Sequence, residues 1–397
     1  MDMRWENKGH EYDDVYRQME AKRGFYLFGC GDYGRQFLDC FQDEVPVIGC
    51  IDNSPVKQET GFHGRECIGL DQVSLKDDEG IILTISQYDR AGAVEQLKSR
   101  GFRQGMDFFL IEEFISVYYL YKYDRVYFLN ISFLPSTACN LKCRYCLNFN
   151  PFAEKFYVRG WEALKADVDL FFSYVDFIMQ FHVSGGEPLL YQYTVDLIQY
   201  IDEKYRDRIG TLRMATNGTI VPSDSLLEKL GRCRIEVVVD DYREAVPKYR
   251  EQFAELIQKL EQYQVRYYIN KVESWVDLAP EKTDYSAFTE EEMIKHRSEC
   301  GQTWQELRDG KLYSCNYAAY ATVAGIAGEQ DLEEIYDLRA HTAEKKKELI
   351  EFRLGYTEKG YTNFCRTCRG FTTQNMEAMK PAVQAEEKGE HTGNALL

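Results

Sequence analysis

Three cysteines fall within one eight-residue stretch, Cys139-Asn140-Leu141-Lys142-Cys143-Arg144-Tyr145-Cys146, directly after the apolar run VYFLNISFLP. This order constrains the fold: the run reads as a strand, and the loop after it lets side chains spaced four and three apart converge on one centre. Thiolates suit iron–sulfur clusters and zinc alike. Three of them leave a fourth position open. A zinc site would recruit a distant ligand, for which His182, after the next apolar run, is the nearest candidate.

The chain has 397 residues, twelve cysteines and a formal charge of −17. Its length predicts two or three cores. The opening residues, MDMRWENKGHEYDD, are polar, and no run is long enough to cross a bilayer, so the expectation is a cytoplasmic protein without a membrane partner. That compartment keeps thiols reduced, which favours metal or catalytic cysteines over disulfides. An acidic surface repels a phosphate backbone and argues against nucleic acid as a partner. Lys345-Lys346-Lys347 reads as a solvated helix face.

The first region, 1–115, reads as strand GFYLFGCG, helix GRQFLDCF and strand VPVIGCID, continued by GIILTIS and a helix near 89–100. Gly29, Gly31 and Gly34 form G-x-G-x-x-G, and Asp52 ends the next strand, as in a Rossmann-like dinucleotide fingerprint. The turn could hold NAD or a nucleotide sugar, with Asp52 on a ribose, or could serve packing alone. Cys30, Cys40, Cys50 and Cys67 read as small core residues.

From 116 to 280 strands alternate with helices: VDFIMQFHVS, GTLRMATNG, RIEVVVDD and VRYYINKV, separated by patterns such as TVDLIQYIDEKY and YREQFAELIQKLEQ. Such alternation predicts an α/β parallel barrel or part of one, with chemistry on the loops after the strands. From 281 to 375 the pattern breaks into short pieces with four cysteines, and 376–397 reads as a disordered tail. Cys233, before the strand RIEVVVDD, reads as packing, with hydrogen return to a substrate radical as the alternative.

C-x3-C-x2-C after the first strand of such a barrel, with an aromatic before the last cysteine, resembles the radical S-adenosylmethionine (radical SAM) superfamily. Ser184-Gly185-Gly186-Glu187-Pro188 is similar to its GGEP element, and Thr216-Asn217-Gly218 to its TNG. Asp240-Asp241 ends the fourth strand, where similar enzymes carry a polar residue. The resemblance implies a partial (β/α)6 barrel and a 4Fe-4S cluster on Cys139, Cys143 and Cys146, with SAM as the missing ligand. It implies that Gly185, Gly186 and Glu187 meet the methionine amino group, that Asn217 lies near the cofactor and that Tyr145 faces the adenine. A flavodoxin or ferredoxin-type donor would reduce the cluster. Reductive cleavage of SAM would yield a radical that takes a substrate hydrogen.

Cys300, Gly310, Cys315 and the pair Cys365-x2-Cys368 resemble the twitch domain, the shortened relative of the SPASM extension, which implies a small C-terminal α+β unit with an auxiliary 4Fe-4S cluster. DGKLYSC reads as a hairpin turn and strand that return Cys315 beside Cys300. Zinc on four thiolates is the alternative. A cluster closed by four ligands would accept electrons rather than bind substrate, which implies oxidation of a carbinol carbon. Asp240, Asp241, Arg266 and Lys271 are the candidates to touch substrate or remove its proton.

FGCGDYGRQ followed by VIGCIDNSP resembles nucleotide-binding domains of bacterial surface-polysaccharide enzymes, and the stretch from VVVDD to CRTCRG is similar to radical SAM proteins encoded beside glycosyltransferases. These resemblances imply a small-molecule, carbohydrate substrate, free or nucleotide-linked, that is oxidised or epimerised. Peptide modification and a non-catalytic binding protein are the competing classes.

Overall fold

The structure, a computed structural model, describes residues 2–86, 89–302, 304–328, 334–375 and 377–385. Its N-terminal part runs α1 (Asp13–Glu20), β1 (Gly24–Phe28), α2 (Asp32–Phe41), β2 (Val47–Ile51), α3 (Pro55–Thr60), β3 (Cys67–Ile68), β4 (Glu79–Leu83), α4 (Arg90–Ser99), β5 (Phe108–Leu110) and α5 (Ile111–Tyr123). Strands β1 and β4 are apolar and almost wholly buried, as parallel strands covered on both faces must be. The five strands are parallel in the order β3-β2-β1-β4-β5. The chain switches direction beside β1, so the glycine turn opens at the crevice where such sheets hold ligands. Gly29 has φ +114°, a conformation that side chains disfavour. Gly34 packs so closely on the Gly29 carbonyl that a methyl group would collide with it.

The second part runs β6 (Tyr127–Phe133), α6 (Trp161–Tyr174), β7 (Phe177–Val183), α7 (Thr194–Tyr205), β8 (Ile209–Thr216), α8 (Asp224–Arg232), β9 (Ile235–Asp240), α9 (Arg250–Gln262), β10 (Tyr267–Asn270) and β11 (Trp275–Val276). Strands β6 to β10 are parallel neighbours. The last part adds α10 (Glu290–Glu299), β12 (Glu306–Arg308), β13 (Lys311–Tyr313), α11 (Asn316–Val323), β14 (Ile335–Asp337), α12 (Lys346–Arg353) and β15 (Ala378–Met379). Strand β12 joins β6 in parallel, giving six parallel strands, and β13 and β14 extend the sheet antiparallel. The parallel set is the partial α/β barrel expected. The C-terminal hairpin turns at Asp309-Gly310, φ +53° and +72°, as a tight two-residue turn requires. Asp167 of α6 accepts hydrogen bonds from both turn N–H groups at 2.7 Å. The C-terminal region therefore grows out of the barrel sheet.

The boundary expected at 115 falls inside α5. Phe114, Tyr118 and Tyr119 of this helix lie in an apolar core that also contains Phe37 and Phe41 of α2 and Tyr127 of β6. Polar contacts reinforce the junction. Asp32 at the start of α2 lies 2.9 Å from Arg213 of β8, whose Nε donates to Glu236 of β9 at 2.8 Å. Asn130 of β6 donates to the Tyr33 hydroxyl at 3.1 Å.

Two expectations change. Lys346 and Lys347 do more than face solvent: they pair with Asp124 and Asp13 at 2.8 and 2.7 Å, because α12 packs beside the N-terminal helices. The tail expected to lack order from 376 holds defined structure over 377–385, where β15 pairs with the free edge of β11 and Ala382 is fully buried. Residues 376 and 386–397 of that tail lie outside the described residues. Among the described residues no helix is long and apolar enough to cross a membrane.

Arg213 and Glu236 are both nearly inaccessible, so removing one partner strands a buried charge. Arg213→Met should lower the unfolding free energy by about 3 kcal/mol, the lower end for breaking a buried ion pair because Arg266 still reaches Glu236. Urea denaturation of the cluster-free chain measures it; a loss below about 1 kcal/mol would show that solvent screens the pair.

Candidate active site

The loops after β6, β7, β8 and β9 meet at one end of the barrel, around a cavity of about 880 Å³. Cys139, Cys143 and Cys146 line it, and their side chains pack together with Leu141, Val246 and Trp275. Burial pushes the Cys139 and Cys143 thiols up to about 12, and each is raised further by the nearby Cys146. Such thiols ionise only beside a compensating cation, as thiolate ligation of a metal provides. Neutral donors already point at the sulfurs: Leu141 N reaches Cys139 Sγ at 3.4 Å, and Gln384 Nε2 reaches Cys143 Sγ at 3.4 Å. The donor set fits a thiolate-ligated cluster. Among the described residues no three His, Cys, Asp or Glu side chains converge to hold a single metal ion. His182 does line the cavity, but burial, then the Arg213 charge, lower it to about 3, so its ring is neutral.

Gly185 and Gly186 line the same cavity. A methyl group on Gly186 would collide with the carbonyl oxygens of Thr137 and Ala138, so glycine lets this loop pass under the base of the cysteine loop. Backbone bonds Gly186 N to Ser136 O (3.0 Å) and Glu187 N to Ala138 O (2.7 Å) stitch the two together.

Glu187 departs from its expected role. Its carboxylate is buried and accepts from Thr216 Oγ1 at 2.8 Å, Asn217 N at 2.7 Å and Leu189 N at 3.0 Å, and it is not part of the cavity wall. Burial raises it to about 7 against those three donors. Glu187 is a strut between the β7 and β8 loops. Asn217 does face the cavity; its Nδ2 lies 3.1 Å from Asn140 Oδ1 and 3.8 Å from Cys139 Sγ. Tyr145 lies outside the cavity wall, with the Arg144 guanidinium 5.5 Å from its ring centroid.

Of the four candidates to touch substrate, only Asp240 lines this cavity. Burial pushes its carboxyl up to about 6, although Asn270 Nδ2 (2.7 Å) and Tyr242 Oη (3.0 Å) donate to it. Asp241 and Lys271 border a separate groove, and Asp241 pairs with Arg243 at 2.7 Å. Arg266 is exposed and pairs with Glu236 at 3.0 Å, near the start of β9, the end of the barrel away from the loops. Alternation along a strand flips neighbouring side chains, which separates Asp240 from Asp241. Cys233 also lies away from the cavity, its thiol 3.2 Å from Lys229 O at the end of α8.

The N-terminal turn belongs to the same space. Gly29, Gly31 and Asp52 line the 880 Å³ cavity together with the three cysteines, while Gly34 serves the packing described above. Asp52 accepts from Cys30 N at 2.9 Å, Ser54 N at 2.9 Å and Lys57 Nζ at 3.0 Å. Cys30, Cys50 and Cys67 are buried core residues, and Cys40 is half-buried.

Cys300, Cys315, Cys365 and Cys368 surround a second, small cavity of about 20 Å³. Burial raises Cys315 to about 12. Arg297, 6% exposed, lies within electrostatic reach of Cys300, Cys315 and Cys365. Tyr317 of α11 lines both cavities. Tyr317, Tyr242 and Gln384 carry no motif; their only sequence signal is nearness to Cys315 and Asp240 for the first two.

Residues 133–275, from the end of β6 to the start of β11, match the family described as the Radical SAM superfamily, which makes this segment a radical SAM domain. No curated protein matches the chain. Among solved structures, SuiB of Streptococcus suis bound to precursor peptide SuiA aligns at 19% identity over 42% of this chain and 38% of its own, TM-score 0.32. Native anSMEcpe with bound AdoMet and Kp18Cys peptide aligns at 15% over 64% and 92%, TM-score 0.38. BtrN in complex with AdoMet and 2-DOIA aligns at 16% over 62% and 95%, TM-score 0.37. The chain spans under two-fifths of the peptide-bound SuiB.

Glu187→Ala leaves one buried and two half-buried donors without an acceptor and should destabilise the chain by about 2–3 kcal/mol, with Glu187→Gln recovering roughly half. Urea titration of both variants checks this; equal stability of the alanine variant and the parent would show that the strut is dispensable.

Proposed function

We propose that this chain is a radical SAM enzyme that removes a hydrogen atom from a carbinol carbon of a nucleotide-linked carbohydrate, giving oxidation or epimerisation. One observation carries the reading: the glycine turn with Asp52 and the three-cysteine loop open into one cavity. A ligand anchored by its nucleotide at the turn therefore extends towards the cysteine loop. A cluster on Cys139, Cys143 and Cys146, with SAM completing it, would supply the carbon radical that such chemistry needs.

The residues of the chain do the rest. Gly185, Gly186 and Asn217 form the wall beside the cysteines, where the methionine end of SAM would lie. Asp240 is the proton acceptor. Its carboxyl, raised by burial, is poised within reach of neutral pH, as a general base should be. The electron released with that proton would go to an oxidised auxiliary cluster on Cys300, Cys315, Cys365 and Cys368. Tyr317, shared by the two cavity walls, supports a short path. The small volume of the second cavity supports electron acceptance over substrate ligation.

Two outcomes are expected. Anaerobically reconstituted protein with reductant and SAM should form 5′-deoxyadenosine and accept deuterium into it from a nucleotide sugar labelled on the sugar ring. Transfer from peptides and from no sugar would replace this reading with peptide modification; no 5′-deoxyadenosine at all would remove the enzymatic reading. Asp240→Asn should cut ketone formation about 10²–10⁴-fold while hydrogen abstraction persists. The base acts when ionised, so the parent rate should rise with pH through about 6 and level off above it, and the variant should lose that rise.

A further inference from the structure

Residues 377–385 do not trail away from the last cysteine pair; they cross the cysteine loop. Strand β15 is anchored on β11, with Met379 opposite Trp275. Ala382, fully buried with φ +54°, turns the chain into the apolar pocket formed by Leu141, Cys143 and Val246. Beyond it Gln384 forms an antiparallel bridge with Cys143. Arg144 N donates to Val383 O at 2.7 Å, and Ala385 N donates to Lys142 O at 2.7 Å. The Gln384 side chain completes the clasp: Oε1 accepts from Lys142 N at 3.0 Å, while Nε2 donates to Ala382 O at 2.8 Å and to Cys143 Sγ at 3.4 Å.

We propose that this segment is a strap that locks the cysteine loop, and that Gln384 is a positioning residue that sets the reduction potential of a cluster held by Cys139, Cys143 and Cys146. The proposal rests on the radical SAM reading of the cavity. Each N–H directed at a ligating sulfur stabilises negative charge there, and stabilises the reduced cluster more than the oxidised one, which raises the potential. Leu141 N does this for Cys139. Gln384 does it for Cys143 from a segment more than two hundred residues away in sequence. An amide carries no titratable proton near neutrality, so its contribution is independent of pH. The backbone bridge also restrains the residue that carries the middle ligand, which opposes release of iron.

The test uses the full-length chain, reconstituted anaerobically, with Gln384→Met, which keeps length and removes every side-chain polar contact, and Gln384→Glu, which keeps the acceptor for Lys142 N and removes the donor to sulfur. The midpoint potential is read by electron paramagnetic resonance on the cluster signal that SAM perturbs, and iron release to a chelator is timed. Both variants should have a more negative potential than the parent. Gln384→Met should also lose iron about tenfold faster, the rate equivalent of one such hydrogen bond, and Gln384→Glu should lose it more slowly than Gln384→Met. Parent-like potential and iron release in both variants would overturn the strap while leaving the radical SAM reading intact. A parent protein with no cluster signal that SAM perturbs would overturn both.

Discussion

One guanidinium, Arg213, holds the two ligand-facing walls together. It projects from β8 between Asp32 of the glycine-rich region and Glu236 of β9, and it lines the cavity that results. Without it the Asp32 carboxylate, at the first turn of α2 where a helix N-terminus otherwise attracts phosphate, would keep only Arg35 as a cationic partner. Burial opposes ionisation of Asp32, yet Arg213 and then Arg35 hold its carboxyl below the usual range. Charge neutralisation and domain docking are thus one contact. The aromatic layer of Phe37, Phe41, Tyr119 and Tyr127 gives that contact a rigid base.

The two cysteine groups occupy opposite electrostatic settings. The loop sulfurs receive hydrogen bonds from neutral donors, Leu141 N, Asn217 Nδ2 and Gln384 Nε2. The second group has a buried cation, Arg297, against three of its four thiols. A fixed positive charge favours an added electron more than dipoles do. Under the proposed function this difference draws an electron from substrate towards Cys300, Cys315, Cys365 and Cys368, with Tyr317 in between. Direction therefore follows from where the chain places one arginine.

Patterns of consecutive residues were legible in the sequence because their physics is local. Apolar runs marked β6 to β10 but not the short sixth parallel strand β12, and the glycines at 29 and 310 marked turns that the backbone then makes. Cys139, Cys143 and Cys146 line one cavity, as their place on a single loop after a strand suggests. What escaped depends on side chains meeting across the sheet. Glu187 reads as a cavity residue until Thr216 and Asn217, on the next loop, claim its carboxylate. Asp240 and Asp241 are equivalent in sequence, and only the strand pleat separates the buried one from the one paired with Arg243. Arg266 was misplaced because a charged strand start resembles a charged strand end. The clasp of Gln384 on Cys143 joins residues too far apart for any local pattern.

The shared cavity also bears on what the glycine turn is for. A dinucleotide coenzyme bound there would need a space of its own beside the substrate. Here the turn and the cysteine loop face one volume of about 880 Å³, near the upper end for small-ligand sites. Under the proposed function SAM would share that volume with the substrate. On that reading the nucleotide at the turn belongs to the substrate. Lys57, paired with Asp52 at 3.0 Å on the same wall, would place a cation beside such a ligand. On that reading, recognition of the nucleotide handle would fix the distance between the sugar and the cysteine loop, and the entropy of bringing them together would be lost once, on binding.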